Sequence, residues 1–163
     1  MKYNLEHVND KPELWESEDP VRPELDTAFK TSPGRGVFGL KGEDGKWKAF
    51  MCYARTSLVP KNVEDLVVYT CLDGPYIIPY TVWSYEKGAG RAIINEVLWM
   101  VKNTEDHYGR VITLSPPTEM AERFHSRNGA VVFRRNAEFV NFEYESFSEV
   151  PKNDETYIMI ENS

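Results

Sequence analysis

The sequence is poor in the residues that staple small proteins or hold metals: its 163 residues include 2 cysteines and 3 histidines. Cys52 and Cys71 stand singly in apolar, strand-like stretches, "AFMCYA" and "VVYTCL". This suits inert buried thiols and excludes a disulfide framework or a cysteine-rich metal site. Long apolar runs are missing too. Stretches such as 97–101 fall far below the roughly 20 residues that a membrane span needs, and the first residues carry no apolar leader core. A cytoplasmic protein with no membrane partner is therefore expected. No G-x-x-x-x-G-K-[ST] sequence occurs, which removes the commonest triphosphate-binding loop.

What is present describes one globular domain. Hydrophobic residues make up 41%, enough at this length to bury a single core without metal or disulfide support. The net charge of −7 is unevenly placed: residues 1–30 hold 4 basic and 8 acidic residues, and residues 137–163 hold 1 and 7. The middle of the chain keeps 14 basic against 11 acidic residues. A mildly basic centre in an acidic chain fits a small anionic ligand better than a nucleic-acid lattice. The cluster Arg123, Arg127, Arg134 and Arg135, interleaved with Phe124 and Phe133, reads as a solvated face.

Proline and turn signals divide the chain. Pro12, Pro20 and Pro23 each precede a potential short helix, so one or two short helices are expected to make residues 1–33 a helical segment, with 34–146 forming the core and 147–163 an extension. Glu43-Asp44-Gly45 separates two β-rich segments and predicts a hairpin. "NVEDLVVYTCL" fits helix or strand, while "YIIPYTVW" predicts a strand with Pro79 at an edge or a bulge. Ile93, Ile94, Val97, Leu98 and Val101 recur at helical spacing, predicting a buried helix that ends near Asn103. "RVITLS" reads as a strand. "SPPTEMAERFHSRNGA" reads as a helix capped by Ser115 or Thr118 and stopped by Gly129. A hairpin across Asn136 and a last strand at "TYIMIE" complete an α/β (α+β) mixed sheet with helices on its faces.

Two glycine clusters compete as anion sites. "GRGVFG" satisfies G-x-G-x-x-G but leads into a hairpin, so its glycines are read as turn residues. "EKGAG" instead follows a strand and opens the long helix. The first N–H groups of a helix have no internal acceptors, and the helix dipole favours an anion there. Gly88 and Gly90 leave room for a diphosphate, with Lys87 and Arg91 on either side to neutralise it. The alternative is that both glycines merely turn the chain into the helix.

"SYEKGAGRAII" together with "AERFHSRNGA" some 30 residues later resembles the acetyl-CoA-binding core of the GCN5-related N-acetyltransferase (GNAT) superfamily, over roughly residues 75–145. The short "GAVVFRR…FVNFEYE" ending is similar to phage-encoded members. The resemblance implies a mostly antiparallel sheet with a splayed strand at the cofactor site and binding of acetyl-CoA by Val82, Tyr85, Lys87, Gly88, Ala89, Gly90, Arg91 and Thr118. It also implies an amine acceptor, either a small molecule or a protein or peptide, handled by a monomer or homodimer without nucleic acid. The amine would attack the thioester directly within a ternary complex. The Val82 N–H would polarise the carbonyl, as an oxyanion hole does. Three positions depart from the family pattern. Tyr85 replaces an arginine or glutamine, Thr118 an asparagine, and His125 the tyrosine that protonates the departing thiolate. A histidine can donate a proton near neutrality, so His125 is the candidate acid, or else a passive hydrogen-bonded residue. The base is left open among Glu64, Asp65, Asp73, Tyr80 and Ser84. A second implication of these departures is a GNAT-fold module that binds coenzyme A without turnover.

Overall fold

In the computed structural model residues 2–103 and 109–145 are described; His107 and the "TYIMIE" segment lie outside them. The chain opens with strand β1 (Tyr3–His7), a 3-10 turn at Pro12–Leu14 and helix α1 (Thr27–Thr31). Strands β2 (Arg35–Gly42) and β3 (Trp47–Thr56), helix α2 (Val63–Tyr69) and strand β4 (Tyr76–Ser84) follow. Helix α3 (Ala89–Asn103), strand β5 (Arg110–Ile112), helix α4 (Glu119–Arg127) and strands β6 (Val131–Arg135) and β7 (Val140–Tyr144) complete the order. The strands form one sheet in the order β1-β2-β3-β4-β5-β7-β6, antiparallel except between β4 and β5.

The expected mixed sheet with helices on both faces is thus observed. On one face α3 buries Ile93, Ile94, Val97 and Val101 against Phe38, Leu40, Met51 and Phe142. On the other, Leu66 of α2 and Phe29 of α1 join Trp15, Phe50, Ile78 and Tyr80. The hairpin turns where expected, with Gly45 at φ 79°, a conformation that glycine adopts without a Cβ clash. Helix α4 takes Thr118 as its N-cap, its hydroxyl accepting from Ala121 N–H, and the chain leaves it through Gly129 at φ 96°. The ambiguous segment is helical because Asn62 caps Asp65 N–H and starts α2. Cys71 accordingly follows a helix, while Cys52 is buried in β3, where desolvation raises its thiol pKa far above the usual range.

The first 33 residues add a strand to the short helices expected there. They begin with an edge strand whose alternating pattern pairs Tyr3–His7 with Phe38–Gly42, and their helical part is one 3-10 turn and the 5 residues of α1. Trp15, fully buried, donates Nε1–H to Val8 C=O and anchors the segment across the sheet.

One irregularity positions the site. Strand β4 is central, so Pro79 is not at an edge; it sits at a bulge, where the register with β3 slips between Cys52 and Tyr53. Beside β5 the ladder holds Tyr76 and Ile77, then one more hydrogen bond from Leu114 N–H to Pro79 C=O. There it stops. Ser115 exchanges both of its backbone hydrogen bonds with Val140 of β7 instead, so β4 and the chain after β5 diverge.

Candidate functional site

The divergence opens a groove with a cavity volume of about 250 Å³, walled by Val82, Ser84, Ser115, Phe124 and His125 among others. Ser84, Gly90 and Phe124 also line a second depression that reaches Lys87, Gly88, Arg91 and Arg127. The two adjoin along these three residues, one beside the N-terminus of α3 and the other in the sheet.

Strand alternation decides what faces this groove. Tyr85 N–H donates to Lys48 C=O of the neighbouring chain segment, so the amides of Trp83 and Thr81 also turn toward β3. Those of Val82 and Ser84 turn away from it, into the splay. The Val82 N–H therefore lies free of the β3 ladder. Tyr85 departs from expectation: its ring leaves on the opposite face, where its hydroxyl accepts from Trp83 Nε1–H at 3.0 Å and donates to Glu18 at 3.3 Å. A residue next to the groove-facing Ser84 must point the other way.

At the start of α3 the first helical hydrogen bond runs from Ala92 N–H to Gly88 C=O, so the Gly90 and Arg91 amides precede it and lack helical acceptors. Gly88 has φ 89°, and a Cβ built there would meet nothing within 4 Å, so the backbone is open to a bulky anion. A diphosphate fits this cradle. Gly90 serves a different purpose: a Cβ would approach the Phe124 ring to 2.9 Å, so its missing side chain lets α4 pack against α3. Ala89 is fully buried in the core, and its N–H donates to Glu86 C=O at 3.2 Å. Lys87 is exposed on the rim. Arg91 is partly committed, donating Nε–H to Asn128 Oδ1 and Nη2–H to Arg127 C=O, both at 2.9 Å, and so tying α3 to the end of α4. Thr118 borders the groove while its oxygen caps α4.

His125 is enclosed. It is 7% exposed, with Nε2 3.1 Å from Ser115 Oγ and Nδ1 2.7 Å from Tyr144 Oη. Burial pushes its pKa down to about 4, so at neutral pH the ring is uncharged and has no imidazolium proton to give. A neutral imidazole has one donor and one acceptor, so the chain runs one way: either Ser115 donates to Nε2 and Nδ1–H donates to Tyr144, or the reverse. Thr113 Oγ1 extends it at 2.7 Å from Ser115 Oγ and accepts Phe142 N–H at 3.1 Å. Ser115 and Tyr144 were not foreseen in this role; Tyr144 lies 19 residues from His125, beyond any local pattern.

The candidate bases disperse. Glu64 and Asp65 occupy the first turn of α2, and neither they nor Asp73 line the groove. Tyr80 turns its ring onto Phe29, and burial raises its hydroxyl pKa well above the usual value. Ser84 lines the groove. The arginine face is partly self-neutralised, Arg123 pairing with Glu119 and Arg135 with Glu122. Among the described residues no helix is long and apolar enough to cross a membrane.

No known family model matches the sequence, and no curated protein matches it. Solved structures do. Malonyl-CoA decarboxylase from Cupriavidus metallidurans superposes with a TM-score of 0.65 at 13% identity, covering 90% of this chain, which spans 62% of that protein's length. The GphF GNAT-like decarboxylase in complex with isobutyryl-CoA gives 0.62 at 14% identity, covering 88% of this chain and 99% of that one. The Campylobacter jejuni N-acetyltransferase PseH in complex with acetyl coenzyme A gives 0.56 at 9%, covering 88% and 99%. The chain shares the fold of these proteins, among them an N-acetyltransferase and a GNAT-like decarboxylase.

Proposed function

We propose that this chain is an acyl-CoA-dependent enzyme that transfers an acyl group, acetyl in the simplest case, to an amine by direct attack. The observation that carries the reading is that two depressions adjoin along Ser84, Gly90 and Phe124. One holds an open helix N-terminus, suited to a diphosphate, and the other a backbone N–H held free in the splay of β4, suited to a thioester oxygen. In this reading the Gly88–Arg91 backbone and Lys87 hold the diphosphate of coenzyme A, with Thr118 and Val82 beside the pantetheine arm. Val82 N–H polarises the carbonyl, Phe124 and Met120 exclude water, and the groove fixes the attack geometry. His125 keeps Ser115 and Tyr144 in place as an uncharged residue. Residues 1–33 cover the acceptor side, and the protein acts in the cytoplasm as a monomer or homodimer.

A second reading, decarboxylation of a carboxyacyl-CoA, is favoured by one observation. Among the described residues no carboxylate lines the depression within the splay, Glu86 standing only in the one beside α3, whereas the wall of the splay carries the uncharged Ser115–His125–Tyr144 chain. An apolar groove strips water from a substrate carboxylate, which favours loss of carbon dioxide. Val82 N–H would hold the enolate oxygen left behind. Incubation with acetyl-CoA and a panel of amines, and separately with malonyl-CoA, distinguishes the readings. Free thiol with a new amide supports transfer, acetyl-CoA without free thiol supports decarboxylation, and tight binding with neither product leaves a binding module. Absence of any coenzyme A binding in calorimetry would refute all three.

Lys87 gives a sharper expectation. Lys87→Ala should weaken coenzyme A by roughly 1–2 kcal/mol, the scale of a charge-assisted hydrogen bond. Raising salt should weaken the wild type more than the variant. Equal salt slopes in two titrations would place Lys87 in solvent. Arg91→Ala should weaken binding and also lower the melting temperature, because Arg91 holds Asn128 and Arg127.

A further inference from the structure

One side chain from the N-terminal segment bridges the two strands where they separate. Arg22 is 5% exposed, and its guanidinium donates through Nε to Tyr80 C=O at 3.3 Å and through Nη2 to Leu114 C=O at 2.9 Å. These carbonyls belong to the two chain segments that separate where the β4–β5 ladder ends. The guanidinium fork therefore stands where further rungs of the ladder would run, satisfying carbonyls that the divergence deprives of strand partners. The Phe139 ring covers it at 4.7 Å from centroid to Cζ, and the neighbouring Val21 lines the groove.

The charge around Arg22 is not balanced. Asp19 accepts from the Arg22 and Val21 N–H groups and the Thr81 hydroxyl, and pairs with Lys30 Nζ at 2.7 Å. All three charged side chains are buried. Asp19 acts on both Lys30 and Arg22, so two buried cations share one buried carboxylate and a net positive charge remains. The other carboxylate acting on Arg22, Glu24, is exposed and screened by water. Tyr80 is two residues from Val82, and its carbonyl, bound by Arg22, lies on the same open side of β4 as the Val82 N–H.

We propose that Arg22 is a positioning residue for the thioester site. It sets the width of the splay, keeps the Val82 N–H out of a strand ladder, and places a buried positive charge behind the point where electron density gathers on the thioester oxygen. This rests on the thioester reading above, and the test separates the two. Isotope-edited infrared spectra of acetyl-CoA labelled at the carbonyl carbon are recorded free and bound, without any acceptor, on wild type, Arg22→Gln and Arg22→Lys.

The wild type should lower the carbonyl frequency on binding. Arg22→Gln should lose at least half of that shift while its affinity for coenzyme A, which has no acyl group, stays within about twofold, because the helix-end cradle is untouched. Arg22→Lys, which keeps the charge, should retain most of the shift. A merely structural arginine would instead lose coenzyme A affinity and carbonyl shift together in both variants, and that result overturns the proposal. So does a full shift in Arg22→Gln, or, should that variant not fold, the loss of the shift in Arg22→Lys. A carbonyl that binds the wild type without moving overturns the thioester reading itself, and with it the role of Arg22.

Discussion

Val82→Pro should lower thioester turnover by on the order of 10²–10³-fold, the effect of removing one oxyanion-hole donor. Proline deletes an N–H that faces the splay and not β3, so no rung of the β3–β4 ladder is lost. Pro79 already stands in the same strand. Coenzyme A affinity should therefore hold, since the cradle at Gly88 lies on the far side of the β4–α3 turn. The pairing of a large fall in kcat with steady binding, read by stopped assays and calorimetry, marks an interaction made more strongly in the transition state. A proline variant that keeps wild-type turnover would remove Val82 from the chemistry.

The second large effect is on stability. His125 has its folded pKa depressed to about 4 from 6.5, so between these values the unfolded chain binds more protons than the folded one. Stability thus rises with pH through this window and is lost as pH falls. From pH 7 to pH 5 the loss should amount to about 2 kcal/mol. His125→Gln should flatten that slope, while His7 and the surface carboxylates remain in both proteins as a common background. Urea unfolding at the two pH values checks it. Equal slopes would mean that the ring is protonated or solvated in the folded state. The same variant gives a functional readout: if His125 acted as a proton donor to the thiolate, the pH–rate profile would lose a limb near neutrality, whereas an uncharged packing residue leaves its shape unaltered.

Much of the scaffold was legible because its signals are local. The three- and four-residue spacing of Ile93, Ile94, Val97 and Val101 is a property of one helix, and the Thr118 cap and Gly129 stop bracket another within a dozen residues. Gly88 could be read as a turn opening a helix from its neighbours alone. Other features needed the third dimension. The edge strand at Tyr3–His7 carries polar residues on its open side and is made a strand by pairing with β2, some 35 residues away. Gly90 looks identical to Gly88 in sequence, yet a ring from α4 explains it.

The site was legible to the same depth. Tyr85 sits in the motif, but strand parity sends its side chain to the opposite face, and parity follows from the register with β3. The spacing put His125 on the inward face of α4, though not how deeply; its neutral state follows from that burial, and its partners Ser115 and Tyr144 of β7 lie outside the helix. Arg22 could not be singled out, because the carbonyls it bridges lie 58 and 92 residues away.

The central claim is that one groove holds both the diphosphate and the thioester of an acyl-CoA. Amide proton–nitrogen NMR during titration with acetyl-CoA tests it most directly. The account predicts saturable shifts of the Gly88, Gly90 and Arg91 amides together with the Val82 amide, while coenzyme A lacking the acyl group moves the first three and leaves Val82 much less affected. Shifts confined to other surfaces, or a Val82 amide that stays in place as the helix-end amides saturate, would contradict it.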